Sequence, residues 1–440
     1  MKFYGRSTEL TALYQSYERS QRSSQMTVVT GRRRIGKTRL ILRALEERDY
    51  LYLFVSKKAE KLLCQDFLRQ IETVYGETPV GEVSTFPQVF DLLCRLASRQ
   101  HINVVIDEFQ EFSSVNASIY SDLQRDWDLQ KQSMRMNLIL CGSVQSMMDK
   151  IFLDAREPLF GRASSVLTVT PFRVSTLRQI LADYSPGFTA EDLLALYTIT
   201  GGVAQYVEWL MEDGAFTRQT MLDAVFRPRS VFLNEGRSAL IQDLGKGYTI
   251  YFSILSLIAA GFTSRPQIES VLQLPVGGQI QRLERVYRIL KRRRPIFSKE
   301  NSTTIRFYLA DNFFRFWFRF IFKFQDMIEA NNLPAVRSIV DRDFRTFAGL
   351  SLEDLLREQL RESQRFTRIG NYWERNNQLE IDVVAVNELE RTAVIGEVKW
   401  QRRRANVPKL EVKADKLIRE HLKAYAVTFL PFGLEDVIVE

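Results

Sequence analysis

Three groups of residues in this chain have the types and the spacing to do chemistry. The first is Gly31-Arg32-Arg33-Arg34-Ile35-Gly36-Lys37-Thr38, which fits the phosphate-binding loop pattern without a gap. Its glycines let the backbone wrap so that successive N–H groups face phosphate oxygens. A helix opening at Lys37 and running through Arg39 adds the positive end of its dipole. Lys37 is placed to reach the β- and γ-phosphates of ATP, and Thr38 to bind Mg²⁺ through its hydroxyl. Arg32, Arg33 and Arg34 either turn to solvent while the backbone binds, or hold nucleic acid; the solvent-facing reading is preferred. The second group closes the apolar run Ile102–Ile106 with Asp107 and Glu108. Asp107 suits the Mg²⁺ shell, and Glu108 the orientation and deprotonation of an attacking water. The plainer alternative is a solvated loop. The third group is Glu353, Asp382, Glu397 and Lys399. Side chains alternate along a strand, so Glu397 and Lys399 share a face. If the strand of Asp382 pairs with theirs, two carboxylates can hold Mg²⁺ while the lysine positions or activates water against a phosphodiester. A hairpin with solvated charges is the alternative.

The elements that must position these residues follow from the hydrophobic pattern. Met26–Thr30, Tyr50–Val55, Asn103–Ile106 and Asn137–Cys141 read as strands, and Lys37–Glu47 as a helix. Strands alternating with helical segments predict an α/β domain with a parallel sheet, over residues 1–170. A helical lid is expected over 171–245. A winged helix-turn-helix is expected over 246–325: a helix Thr249–Ala260 stopped by Gly261, a segment Gln267–Leu272, and a helix from Gly277 presenting Ile280, Leu283, Val286, Tyr287 and Leu290. Its hairpin is expected from Pro295–Ser298 and Thr304–Leu309, around a turn at Glu300-Asn-Ser. Gln279, Gln281, Arg282, Arg285 and Arg288 fall on or near the recognition helix, and Lys291–Arg294 follow, a composition suited to phosphate contacts. Packing against the ATP-binding domain without DNA is the competing role. The aromatic stretch Phe313–Phe324 reads as a buried amphipathic helix. Residues 335–440 return to α/β, with a helix Leu352–Leu360, strands Leu379–Val386 and Thr392–Trp400, a helix Leu410–His421 and a closing strand Ala424–Phe429.

Length and composition bound the reading. At about 150 residues per domain, 440 residues suggest three or so domains. With 45% hydrophobic and 26% charged residues the chain is neither disordered nor collagen-like. Three cysteines and two histidines argue against a disulfide framework, a zinc site or a histidine triad. The net charge of +8 permits an anionic partner without requiring one. Met1–Leu10 has no signal-peptide pattern, and the longest apolar stretch, Tyr248–Ala260, is too short to span a bilayer. A cytoplasmic location without a membrane partner is the expectation.

These motifs together resemble the archaeal-type P-loop ATPases of the AAA+/STAND kind. The resemblance runs over roughly residues 1–240, on Phe3-Tyr-Gly5-Arg6 with Glu9-Leu10, the phosphate loop, Asp107-Glu108, Leu140-Cys-Gly-Ser143, Pro158-Leu-Phe-Gly161-Arg162, and Gly201-Gly202 with Gln205-Tyr206. It implies that Phe3 to Arg6 border the adenine and that Ser143 senses the γ-phosphate. It puts Arg162 where a transition-state arginine often stands, acting within its own subunit or across an oligomer; a structural salt bridge is an equal alternative. The family usually has Pro after Gly-Gly-Val, where this chain has Ala204. The C-terminal group resembles the PD-(D/E)xK nuclease fold. It implies Glu353 as the first-helix acid, Asp382 and Glu397 as metal ligands and Lys399 as the catalytic lysine, in a restriction-endonuclease-like α/β domain. Arg402, Arg403 and Arg404 would hold a nucleic-acid backbone or form a solvated turn. ATPase and nuclease-like parts in one chain resemble archaeal-type ATPases carrying the C-terminal domain DUF234. The expected function is Mg-ATP binding and hydrolysis coupled to a nucleic-acid-directed centre, DNA being the first candidate. A signalling switch bound to a protein partner, and a DNA-binding regulator with an inactive nuclease fold, stay open.

Overall fold

The computed structural model describes residues 1–79, 81–244, 248–299, 302, 304–374 and 379–437. It forms two compact units, Gly5–Thr170 and Met1–Tyr4 with Pro171–Glu440.

The first unit is built on five strands: β1 Gln25–Thr30, β2 Leu51–Phe54, β3 Ile102–Asp107, β4 Met136–Gly142 and β5 Ser165–Thr168. They lie in the order β2-β3-β4-β1-β5, and every pairing is parallel. β3 and β4 are buried along their whole length, because helices cover both faces of a parallel sheet. The core joins Met26, Leu53, Val104 and Leu138 to Phe67, Phe86, Phe90, Phe109, Phe112 and Trp127 from the helices. With all strands running one way, the segments after β1, β3 and β4 emerge at the same end of the sheet. The loop, the acidic pair and Ser143 are those segments. The edge strand β5 escapes a reading by pattern, since it has four residues with only alternate burial.

In the second unit, Val174–Tyr184, Ala190–Thr200, Ala204–Glu212, Arg218–Val225 and Val231–Leu244 are helical. Thr189 starts one of them with a reciprocal cap: its hydroxyl accepts from the Asp192 N–H at 3.2 Å, and Asp192 accepts from the Thr189 N–H at 2.9 Å. Helices Thr249–Ala259, Arg265–Leu272 and Gly277–Arg285 then precede an antiparallel hairpin. The hairpin differs from the expected one. Its strands are β6 Leu290–Arg293 and β7 Arg306–Leu309, so the first begins five residues early, and Leu290 belongs to a strand rather than to the preceding helix. The expected turn at Glu300 and Asn301 lies outside the described residues. The aromatic stretch is a short helix Asn312–Phe316 continued by a π-turn Trp317–Ile321. Its rings are buried, and the Trp317 indole N–H donates to the Leu233 carbonyl at 3.1 Å.

The C-terminal sheet has the order β11-β10-β9-β8, with β8 Arg368–Trp373, β9 Glu380–Asn387, β10 Thr392–Val398 and β11 Ala426–Phe432. β8, β9 and β10 pair antiparallel, and β11 runs parallel to β10. Leu410, Ala414 and Leu417 of helix Val407–Leu417 pack on Ile381, Val384, Val386, Ala393 and Ile395. A 30-residue helix, Leu333–Glu362, supplies Glu353 and Asp354.

Asp354 corrects the reading of the basic run as an exposed phosphate contact. Its carboxylate is buried and accepts from Arg293 at 2.5 Å, Arg357 at 2.7 Å and Lys291 at 3.4 Å. Arg292 donates to Glu284 at 2.6 Å. Strand alternation aims Lys291 and Arg293 at one acid and Arg292 away from it. Removing one member of a buried ion network leaves charges without a counterion. Asp354→Ala should therefore lower the unfolding free energy of this unit by about 3–5 kcal/mol, read by urea denaturation. A loss below about 1 kcal/mol would show that the network carries little of the fold.

Candidate active site

The phosphate loop turns between β1 and the helix Lys37–Ala44. Gly31 and Gly36 have φ of 148° and 92°, in the region where only glycine is unstrained. A Cβ on Gly31 would lie 2.5 Å from the Val169 carbonyl oxygen. Lys37 is buried, and its ammonium donates to the carbonyls of Gly31 at 2.8 Å and Arg32 at 3.1 Å. Burial lowers its pKa, an effect that Cys141, Glu108 and Asp107 oppose. Ile35 is buried, Arg34, Thr38 and Arg39 are exposed, and Arg32 and Arg33 are half-buried. The solvent-facing reading therefore fits Arg34 but only in part Arg32 and Arg33.

At the end of β3 the Asp107 carboxylate accepts from the Glu108 N–H at 2.8 Å and the Thr38 hydroxyl at 3.4 Å. It also accepts from the Tyr52 hydroxyl. Glu108 has φ of 53°, a left-handed turn that directs its side chain toward the end of β4. There the Ser143 hydroxyl donates to Glu108 Oε2 at 2.6 Å, and the Gln110 amide to the same oxygen at 2.5 Å. The structure thus brings Lys37, Thr38, Asp107, Glu108 and Ser143 together at one end of the sheet. A hydroxyl and a carboxylate are hard oxygen donors, the kind that suit Mg²⁺. Tyr52 and Gln110 are additions that the sequence did not signal: each joins the site through a neighbouring strand or a turn, outside any motif spacing.

The flanking assignments divide. Arg6 donates to the Ile35 carbonyl at 3.1 Å and to Glu9 at 3.4 Å, so it braces the loop backbone. Phe3 belongs to the other compact unit. Arg162 pairs with Asp128 at 2.9 Å and donates to the Phe160 carbonyl at 2.8 Å. It lies just before β5, whose Ser165 pairs with Thr27, whereas the phosphate loop follows the other end of β1. Within its own unit Arg162 is therefore part of a salt bridge beyond the far end of the strand that leads to the loop.

The C-terminal group is assembled by a bulge. Gly370 pairs with Val384 while Tyr372 pairs with Ile381, so Asp382 and Val383 of β9 stand opposite the single residue Asn371. Such an insertion re-aims a side chain. The Asp382 carboxylate turns to the strand end and accepts from the Val398 N–H at 2.8 Å. Glu397 accepts from the Asn406 N–H at 2.8 Å and meets Lys399 at 3.3 Å and Lys413 at 3.6 Å. Burial pushes the Glu397 carboxyl up, but the Asn406 N–H and Lys399 outweigh it and leave its pKa low. Glu353 sits under Arg357, 3.4 Å away, which also donates to the Asp382 carbonyl. Burial raises the Asp382 pKa. Arg402 is tied to Asp436, while Arg403 and Arg404 are exposed. Among the described residues no group of three or more His, Cys, Asp or Glu is gathered for a metal ion. Asp382 and Glu397 are thus neighbours whose oxygens are engaged by N–H groups and lysines, rather than a preformed metal cage. Arg357, Asn406 and Lys413 were not foreseen, because they come from the long helix and from the segment after β10.

Burial pushes the Glu353 carboxyl from 4.5 up to about 8; Arg357 opposes this and Asp382 adds to it. The folded chain holds that proton more tightly than the unfolded chain. The resulting stability is complete below pH 4.5 and is lost as pH rises through about 8. Glu353→Gln, which keeps the neutral form, should remove this loss. Between pH 5 and 9 the wild type should fall relative to the variant by about 4 kcal/mol in denaturation. Parallel pH profiles would remove the assignment.

Comparison with known proteins agrees with this architecture. Residues 3–210 match an ATPase domain predominantly from Archaea, and residues 317–414 match DUF234, known from archaeal and bacterial proteins of unknown function. An uncharacterized protein of Methanocaldococcus jannaschii is 26% identical over 408 residues, 91% of this chain and 88% of its own. The Walker-type ATPase Paby2304 of Pyrococcus abyssi superposes with a TM-score of 0.54 at 17% identity, covering 72% of this chain and 96% of its own. The ORC2 protein of Aeropyrum pernix, solved as ADPNP and ADP complexes, has a TM-score of 0.48 at 16% identity over 70% of this chain and 90% of its own. No helix among the described residues is long and apolar enough to cross a membrane. The chain thus carries an archaeal-type ATPase domain at residues 3–210 and a DUF234 segment at residues 317–414.

Proposed function

We propose that this chain binds and hydrolyses Mg-ATP in its first unit and uses the cycle to control a nucleic-acid-directed centre at Glu353, Asp382, Glu397 and Lys399. The observation that carries the ATPase part is the convergence of Lys37, Thr38, Asp107, Glu108 and Ser143 at one end of a parallel sheet. The loop N–H groups and Lys37 would hold the phosphates, with Thr38 and Asp107 on the metal side. Bound Mg²⁺ would supply charge neutralisation between the β- and γ-phosphates. Ser143 and Gln110 fix Glu108 through Oε2, which makes Oε1 the atom for orienting and deprotonating water. Arg162, paired with Asp128, would serve a nucleotide only as part of an oligomer.

The nucleic-acid part rests on the pairing of Glu397 with Lys399 beside Asp382. Lys399, Arg403, Arg404 and Lys409 are exposed cations around that point, suited to a phosphate backbone. One observation favours a second reading. Glu397 is already neutralised by Lys399 and Lys413, as in a binding or switching domain without cleavage. In that reading the exchange of nucleotide moves a surface for a protein partner or DNA.

Lys37→Ala should abolish ATP binding; unchanged affinity by calorimetry would remove the phosphate-loop assignment. The second test is incubation with single- and double-stranded DNA and with RNA, in Mg²⁺ or Mn²⁺, with and without ATP. Cleavage that disappears in Asp382→Ala while ATP turnover persists would establish a nuclease centre. Salt-sensitive binding without cleavage would favour the switch.

A further inference from the structure

Asp107 is held from three directions. The Glu108 N–H donates to Oδ1 at 2.8 Å, and the Thr38 hydroxyl approaches Oδ2 at 3.4 Å. The third donor is the Tyr52 hydroxyl, also on Oδ2. Tyr52 lies on β2, in register with Val105, two residues before Asp107 on the adjacent strand. Its ring therefore reaches forward along the sheet to the end where the phosphate loop turns. The Thr38 hydroxyl approaches that same Oδ2 of Asp107. One carboxylate oxygen thus receives the Tyr52 phenol and the Thr38 hydroxyl, which faces the metal side of the nucleotide.

We infer that Tyr52 is a positioning residue that holds Asp107 and Thr38 in the geometry that accepts a divalent cation. The inference rests on the nucleotide-site reading and deepens it. A carboxylate at a strand end turns easily about its last torsion, which is broad and two-fold. The Glu108 N–H fixes one oxygen, and a charge-assisted bond from a phenol fixes the other. Mg²⁺ demands near-ideal octahedral geometry, so loose ligands weaken it more than they weaken a softer or larger ion. Partners that orient ligands from outside the metal shell typically contribute 10–100-fold to metal affinity. A tyrosine that only filled space beside β3 would change stability and leave metal affinity alone. Phenylalanine keeps the ring and removes the one atom in question.

The experiment uses the full chain as wild type, Tyr52→Phe, Asp107→Asn and the double variant. Mn²⁺ binding is measured by electron paramagnetic resonance in saturating ADP, and ADP affinity is measured separately in chelator. Tyr52→Phe should weaken Mn²⁺ binding about 10–100-fold and leave metal-free ADP affinity unchanged. In the Asp107→Asn background the same substitution should add less than about twofold, because its path runs through the carboxylate. Three results would overturn the proposal: equal or tighter Mn²⁺ binding by Tyr52→Phe, an equal loss in both backgrounds, or a parallel loss of metal-free ADP affinity. Wild-type protein that binds ADP but no Mn²⁺ would overturn it together with the metal-side assignment of Thr38 and Asp107. Wild-type protein that binds neither would overturn the nucleotide-site reading itself.

Discussion

A buried ammonium sets the terms of the first unit. Lys37 lies inside the loop it belongs to, against the carbonyls of Gly31 and Arg32, and burial disfavours its charge. Carbonyl dipoles alone compensate a buried cation poorly. The remaining field comes from Asp107 and Glu108 across the sheet, and a bound polyphosphate would complete it. Much of the local architecture serves that arrangement. Gly31 and Gly36 make the turn that curls the loop around the ammonium, and Arg6 braces the loop from outside through Ile35. The strand order places β3 and β4 beside β1, so the acids arrive at the same end without any long loop.

The second unit has its own hub, an anion ringed by cations. Asp354 gathers Lys291 and Arg293 from the hairpin and Arg357 from its own helix. These cations, with burial opposing, hold its carboxyl well below the usual range. Glu353, one residue earlier, shares Arg357 with it but lies in the opposite regime, raised by burial. Two adjacent carboxyls are thereby pushed in opposite directions, the Asp354 carboxyl down by its cations and the Glu353 carboxyl up by burial. Arg357 touches both and also the Asp382 carbonyl, so the long helix and the sheet meet at one guanidinium, and the hairpin joins them through Asp354.

What the sequence made legible was local chemistry, and what it hid was contact at long range. The phosphate loop, the acids ending β3 and the Glu397–Lys399 pair follow from spacing along one element, and the parallel sheet follows from alternation of element types. The run Lys291–Arg294 misled because its meaning depends on Asp354, 61 positions further on for Arg293. Read alone, four basic residues look like a solvated surface; placed on a hairpin strand facing the long helix, two of them become partners of the buried Asp354. The bulge at Asp382 was equally hidden, since an extra residue in a strand has no composition of its own. Tyr52 and Gln110 carry polar atoms into the site from positions that a pattern assigns to strand and turn.

The C-terminal centre turns on the balance around Glu397. Its carboxylate is nearly buried, takes one backbone N–H and meets two ammonium groups. A divalent cation would add a third positive partner to a single acid, so one lysine would have to withdraw or Asp382 would have to share the charge. Asp382 is suited to sharing: burial raises its pKa, and a nearby cation is what would bring it back to the ionised form. Lys399 is exposed and free to swing outward, whereas Lys413 is held on the helix that packs under the sheet. Of the two ammonium groups on Glu397, Lys399 is therefore the one that a divalent cation would displace, with Lys413 left in place.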